Sequence, residues 1–221
     1  MEKRSSQRRV GRPKSIVLDR SRIAEVALAV VDEEGDFKLS ELARRLGVQT
    51  ASLYHHVDGR AGVIELLRER MGELMDLAPL ELRPWDVALR GFFRAYRDVF
   101  AAHPRAVPLL TTNTVRAPQV IAAYEQVVAI LEEANVPPGE VMTIVTAMEN
   151  FVIGSALDLA APEVMWEVEN VDAPHLQAAL SAQVASAGRA ERAFEFGLET
   201  FLVSIRDRKR PAAEVHSRVH G

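Results

Sequence analysis

The sequence predicts an all-α protein: an amino-terminal helix-turn-helix three-helix module followed by a larger helical domain. Three observations carry that prediction. Apolar residues recur at helical spacing through nearly all of the 221 residues, and no stretch alternates in the manner of a half-buried strand. Glycine and proline at Gly35, Gly47, Pro79, Pro84, Pro104 and in "NVPPGE" cut this pattern into helix-sized lengths. The stretch "LGVQTASLYHHV", residues 46–57, places a glycine turn and a very short helix directly behind an amphipathic one.

Taken in order, Ile23, Val26, Ala27, Val30 and Val31 share one face between Asp19 and Glu34, and Gly35 suits the helix stop. Leu39, Leu42, Ala43 and Leu46 follow the next helical stripe, with Gly47 as a left-handed residue after it. Thr50 to His56 gives about two helical turns at roughly 3.6 residues per turn. Asp58 is placed to cap a helix whose stripe is Val63, Ile64, Leu67, Met71 and Leu74. Beyond Pro84, Trp85, Leu89, Phe92, Phe93, Tyr96, Val99 and Phe100 form an aromatic-rich helix ending near His103-Pro104. Further helices are expected over 117–134, 139–161, 175–187 and 191–208, with a loop over 162–173 and a loose tail after Pro211.

Composition narrows the function. A hydrophobic share of 48% excludes wholesale disorder. No apolar run approaches the roughly 20 residues of a membrane span, and the basic amino terminus lacks a signal peptide's apolar centre, so a cytoplasmic protein without a membrane partner is expected. The absence of cysteine removes disulfides, thiolate nucleophiles and thiolate metal sites. Net charge is −4, yet residues 1–22 hold eight basic and two acidic side chains (+6), leaving −10 on the remainder. A basic arm on an acidic body follows, which suits nucleic acid and equally suits a solvated tail.

Residues 39–56 have the helix, short turn, helix layout of a module whose second helix enters the DNA major groove. Ala43 is small where two helices must cross closely. With Val48, Leu53 and Val57 turned inward, Gln49, Thr50, Ser52, Tyr54, His55 and His56 face outward with groups suited to base edges and phosphates. Adjacent histidines point about 100° apart on a helix and make a poor metal pair. No zinc-protease, Walker or dinucleotide motif is present, no serine sits in a nucleophile elbow, and His216 and His220 lie in the tail. No cofactor or metal is expected. Ordinary helical corners share the same layout, so an architectural DNA binder and a helical enzyme using an aromatic cavity stay open on these grounds.

The segments "IAEVALAVVDEEG", "LSELARRLGVQTASLYHHV" and "RAGVIELL" resemble the DNA-binding region of the TetR family of bacterial repressors. The leucine-tyrosine-x-histidine run after a G-V-x-x turn is the most specific part. "HPRAVPLL" and "RAFEFGLETFLVSIR" are similar to the carboxy-terminal domain of the tetracycline-repressor branch. The resemblance implies an arm over 1–18, a DNA-binding domain over 19–78, a ligand-binding and dimerisation domain over 79–210, and a tail over 211–221. It implies that Thr50, Ala51, Ser52 and Tyr54 face an operator and that His56 and Arg60 approach phosphates. Arg44, Gln49 and His55 are counted with them. "VGRPKS" resembles the minor-groove arms of family members, with Arg12 as the groove reader. Alanine stands where the tetracycline repressor has proline, and His55 where it has tryptophan, so a different operator is implied.

The resemblance also implies a homodimer through a four-helix bundle of the helices over 139–161 and 191–208. Val145, Val152, Ser155, Phe194, Leu198, Phe201 and Ile205 are the expected interface, with Gly154, Ser155, Ala156 and Gly197 permitting close approach; the same faces also fit an intramolecular core. Phe92, Tyr96, Leu110, Asn113 and Gln126 fall at the family's pocket positions, and Met148 is taken with them. Leu110 replaces the magnesium-binding histidine of tetracycline repressors, which argues against a tetracycline–magnesium ligand. Apolar walls with Asn113 and Gln126 as neutral anchors suit a small, mostly apolar, neutral or weakly charged inducer. Asp76 and Glu149, if they face the cavity, would admit a cationic compound.

Overall fold

The structure, a computed structural model, describes residues 18–162, 164–182 and 188–208. Arg12 and the tail with His216 and His220 fall outside the described residues. The described residues form ten α-helices and no strand. The helices are α1 (Arg20–Glu34), α2 (Leu39–Leu46), α3 (Thr50–Leu53), α4 (Gly59–Leu74), α5 (Trp85–Ala102), α6 (Val107–Thr111), α7 (Pro118–Glu133), α8 (Pro138–Asp158), α9 (Pro174–Ala182) and α10 (Arg189–Arg206).

Local chemistry sets the ends. The Asp19 carboxylate accepts from the Arg22 amide at 2.8 Å, filling one of the orphan donors of α1. Gly35 and Gly47 close α1 and α2 with φ of 81° and 69°, the left-handed region where a side chain is strained. Pro118 and Pro138 open α7 and α8, where a missing amide hydrogen costs nothing.

Three expectations need correction. The helix over Thr50–His56 is α-helical only to Leu53; beyond it, the His56 amide donates to the Leu53 carbonyl at 2.9 Å, the tighter i+3 pattern. Asp58 stands before α4 but its side chain makes no cap bond. The chain after His103, expected only to break the helix, holds a 3₁₀ turn at Pro104–Ala106 and the short α6; a second 3₁₀ turn, Ala78–Glu81, precedes α5. Gly91 lets that turn press onto α5, since a Cβ there would come within 2.6 Å of Pro79.

Two apolar cores result. The first joins α1, α2, α3 and α4 through Ile23, Ala27, Leu42, Leu53, Val63 and Leu67, and it continues into Phe100, Ala106, Val107, Leu110 and Ala156. The second joins α5, α7, α8 and α10 through Leu89, Phe93, Leu131, Met148, Phe194 and Leu198. By length and composition α8 is apolar enough to cross a membrane. Its Val141, Ile144, Val145, Met148 and Val152 are buried in the second core.

Candidate nucleic-acid interface and ligand cavity

Leu53 and Val57 are buried and Val48 half-buried, which anchors the turn between α2 and α4. That anchoring leaves Gln49, Ala51, Tyr54 and His55 exposed, and Thr50, Ser52 and His56 half-buried. Tyr54 is 60% exposed, a large aromatic held outward just after four residues of helix. Such a placement has no packing rationale within the chain.

The nearby arginines are engaged by the protein itself. Arg44 donates to Glu41 at 2.9 and 2.6 Å, and Arg45 bonds Glu41, Glu33 and Glu34. These guanidiniums hold the Glu41 carboxyl down to about 2, Arg44 being the larger influence. Arg60 donates to Asp36 at 2.7 Å and to the Phe37 carbonyl at 2.8 Å, and lies 4.5 Å over the Phe37 ring. Arg44 is 72% exposed and can turn to a phosphate, whereas Arg60 ties the start of α4 to the turn after α1 and would have to leave Asp36 to do so.

A cavity of about 380 Å³ lies between α4, α5, α7 and α8. Met71, Met75, Phe92, Phe93, Phe100, Leu110, Val127 and Val145 supply apolar wall. Among its polar lining groups, Glu149 is held by two phenols: Tyr96 donates to Glu149 Oε1 at 3.4 Å, and Tyr124 donates to the same oxygen. Burial pushes the Glu149 carboxyl above its usual 4.5, against the two phenol bonds and the charge of Arg68. Burial first, and then the Glu149 charge, raise both tyrosines. Arg68 also lines the cavity, but it donates to the carbonyls of Leu110 and Asn113 at 3.0 and 2.9 Å and to Glu65 at 3.3 Å.

Phe92, Tyr96 and Leu110 therefore line the cavity, and three other expected residues do not. Asn113 turns its amide back to the Leu109 carbonyl at 2.8 Å, closing α6. Gln126 lies on the exposed side of α7. Met148 is fully buried in the second core, one residue and so about 100° around α8 from Glu149. Asp76 accepts from the Ala78 amide at 3.0 Å and is not on the lining. Arg68, Gln119 and Tyr124 are lining residues that the sequence reading misses. For Tyr124 a signal exists, because Val120, Tyr124 and Val127 share one helical stripe.

The expected dimer residues divide similarly. Val145, Val152, Phe194, Leu198 and Ile205 are buried in the second core of a single chain, so they are unavailable to a partner. Ser155 and Phe201 are half-buried. Gly197 accommodates the Phe151 ring of the same chain, which stacks on Phe194 at 5.6 Å, so its small size serves the interior. Among the described residues, no group of three or more His, Cys, Asp or Glu side chains could hold a metal.

Residues 78–208 match the family described as tetracyclin repressor-like, C-terminal domain. An HTH-type transcriptional regulator from Saccharopolyspora erythraea is 32% identical over 143 residues, 63% of this chain and only 60% of that protein. The tetracycline repressor protein class C of Escherichia coli is 27% identical over 196 residues, 84% of this chain and 89% of that one. The TetR family protein ActR of Streptomyces coelicolor, solved in complex with actinorhodin, superposes with a TM-score of 0.70 at 21% identity, covering 86% of this chain and 96% of the other. That last likeness establishes the shared fold. With the family match spanning more than half of its length, the chain belongs to the TetR family of transcriptional regulators and carries the tetracycline-repressor-like C-terminal domain.

Proposed function

We propose that the protein is a homodimeric repressor that binds a palindromic operator through α3 and leaves it when a small molecule fills the cavity between α4, α5, α7 and α8. The outward face of residues 49–56 carries this reading: hydroxyl, amide, phenol and imidazole groups stand exposed or half-exposed on a turn fixed from beneath by Leu53 and Val57. Gln49, Thr50, Ala51, Ser52, Tyr54 and His55 are its base-side residues, and His56, Arg44 and Arg60 its phosphate-side ones.

One such module covers too little DNA for tight specific binding, so a second copy is needed. The surface that supports a dimer is the outer side of α8 and α10. Thr143, Ala147, Asn150, Gly154 and Leu157 form an exposed stripe of α8 without a charge, beside Phe196, Thr200 and Val203 on α10. Phe196 is 78% exposed. An uncharged, partly apolar face of that length suits burial against its own copy.

Ligand release follows from linkage: a ligand that fits the cavity better in one spacing of the two reading helices shifts the population toward it. Footprinting on the DNA that flanks the protein's own gene tests the reading. A protected inverted repeat with one bound dimer is expected. Uniform protection of any DNA would instead identify an architectural binder, and turnover of a cavity ligand would identify an enzyme.

A further inference from the structure

At Glu149 the cavity leaves a polar demand unanswered, and it is for a donor. Tyr96 and Tyr124 both donate to Glu149 Oε1, while among the described residues nothing donates to Oε2. Among the same residues no cation lies within ion-pair distance of Glu149; the charge of Arg68 is matched by Glu65, and that of Glu73 on the lining by Arg70. Glu149 is a half-buried carboxylate without an ion-pair partner among the described residues, and the cost of holding its charge in a low-dielectric wall falls when a positive group arrives beside it.

The surrounding wall fits such a guest. Phe92, Tyr96 and Phe100 form a run of tilted and edge-on rings along α5, with centroids 6.0 Å and 4.6 Å apart. Ring faces attract a desolvated cation. A neutral anchor pair would have favoured an uncharged ligand, but Asn113 and Gln126 stand elsewhere. We infer that the cavity selects a lipophilic monocation, an aromatic skeleton with one protonated nitrogen that donates to Glu149 Oε2. An anion would meet the carboxylate, and a second positive charge would meet Arg68. This inference rests on the reading of the cavity as the ligand site.

Three probes sharing one ring system separate the two ideas: 9-aminoacridine as the cation, acridine as the neutral form and acridine-9-carboxylate as the anion. Each is titrated by fluorescence into the full-length, DNA-free protein near neutral pH. The cation is expected to bind about tenfold or more tightly than the other two, in keeping with one charged hydrogen bond. Glu149→Gln should abolish that preference and leave the affinity for acridine unchanged. Should that variant misfold, the wild-type protein gives the same information. The affinity for 9-aminoacridine should fall as the pH drops through the raised Glu149 value toward 4.5, because protonation removes the acceptor's charge. Equal or tighter binding of acridine or its carboxylate, or a preference that survives Glu149→Gln, overturns the inference and leaves the cavity as a ligand site. Binding of none of the three overturns both.

Discussion

Tyr54 and Ser52 are the side chains whose loss should separate recognition from folding. Tyr54 touches little of its own chain and Ser52 makes no side-chain hydrogen bond among the described residues, so alanine at either position should leave the melting temperature within about 1 °C of wild type, as surface changes generally do. Each base-edge interaction is worth roughly 1–3 kcal/mol, so operator preference over random DNA should shrink about fivefold or more per substitution. Competition binding against mixed-sequence DNA measures this, and undiminished preference in the double variant would falsify the assignment of α3 as the reading element. Residues of this region are legible in the sequence because their positions depend on local spacing: Leu53 and Val57 are four apart, and everything between them must face elsewhere. The cavity is legible only in part. Phe92 and Tyr96 follow from the stripe on α5, whereas Arg68 and Tyr124 meet them only because α4 and α7 come to lie against α5 and α8, and periodicity says nothing about which helices become neighbours.

At the scale of the helix, α10 carries two phenylalanines with opposite duties. Phe194 is fully buried, stacked against Phe151 and covered by the Arg97 guanidinium at 4.0 Å. Phe196, two residues on and about 200° around the helix, points to solvent. Phe194→Ala should therefore destabilise the fold by about 3–5 kcal/mol, the usual cost of emptying a large buried site, read from the shift of the denaturant midpoint. Phe196→Glu should retain the circular dichroism of the folded chain but shift its mass by light scattering to that of a monomer, since a carboxylate would be desolvated at the proposed dimer face. A dimer that persists in Phe196→Glu places the interface elsewhere. The stripe of α10 is readable, but a stripe marks only the face that is covered, and both the interior of one chain and a second copy can cover it. Phe194, Leu198 and Ile205 go to the interior, which leaves the other side of the helix for the proposed dimer. The ends of α3 are less readable for a related reason. After Leu53 the His55 and His56 amides bond three residues back while Leu53 and Val57 are buried, and periodicity alone would continue the helix to His56.

Across the whole molecule, the reading head and the body are continuous in packing and opposed in charge. Leu110 of α6 belongs to the core shared with α1 and α4, its backbone carbonyl holds Arg68 of α4, and it lines the cavity as well. Arg105 donates to the carbonyl groups of Asp32 and Glu33 at the end of α1, and His103 Nδ1 lies 2.8 Å from Asp32 Oδ2. A change at the cavity therefore meets helices that also position α3. The charge is less evenly shared: residues 23–221 carry −10, and the +6 of residues 1–22 is the largest basic concentration in the chain. An acidic body repels DNA at long range, so the attraction that brings the two together must come from the arm and the few basic groups beside α3. Deleting residues 1–14 removes six basic side chains and one acidic one. Binding to all DNA should weaken, and the slope of log affinity against log salt should flatten by about 0.9 for each phosphate the protein no longer neutralises. Preference between operator and random sequence should change far less, because groups on the phosphates position the protein without reading sequence. A selective weakening at the operator, with the salt slope reduced by no more than a single phosphate's share, would assign the arm to Arg12 reading the width of a minor groove. An unchanged slope together with unchanged selectivity would leave the arm without a part in binding, and the attraction would then have to come from Arg44 and Arg60 releasing Glu41 and Asp36 to the phosphates.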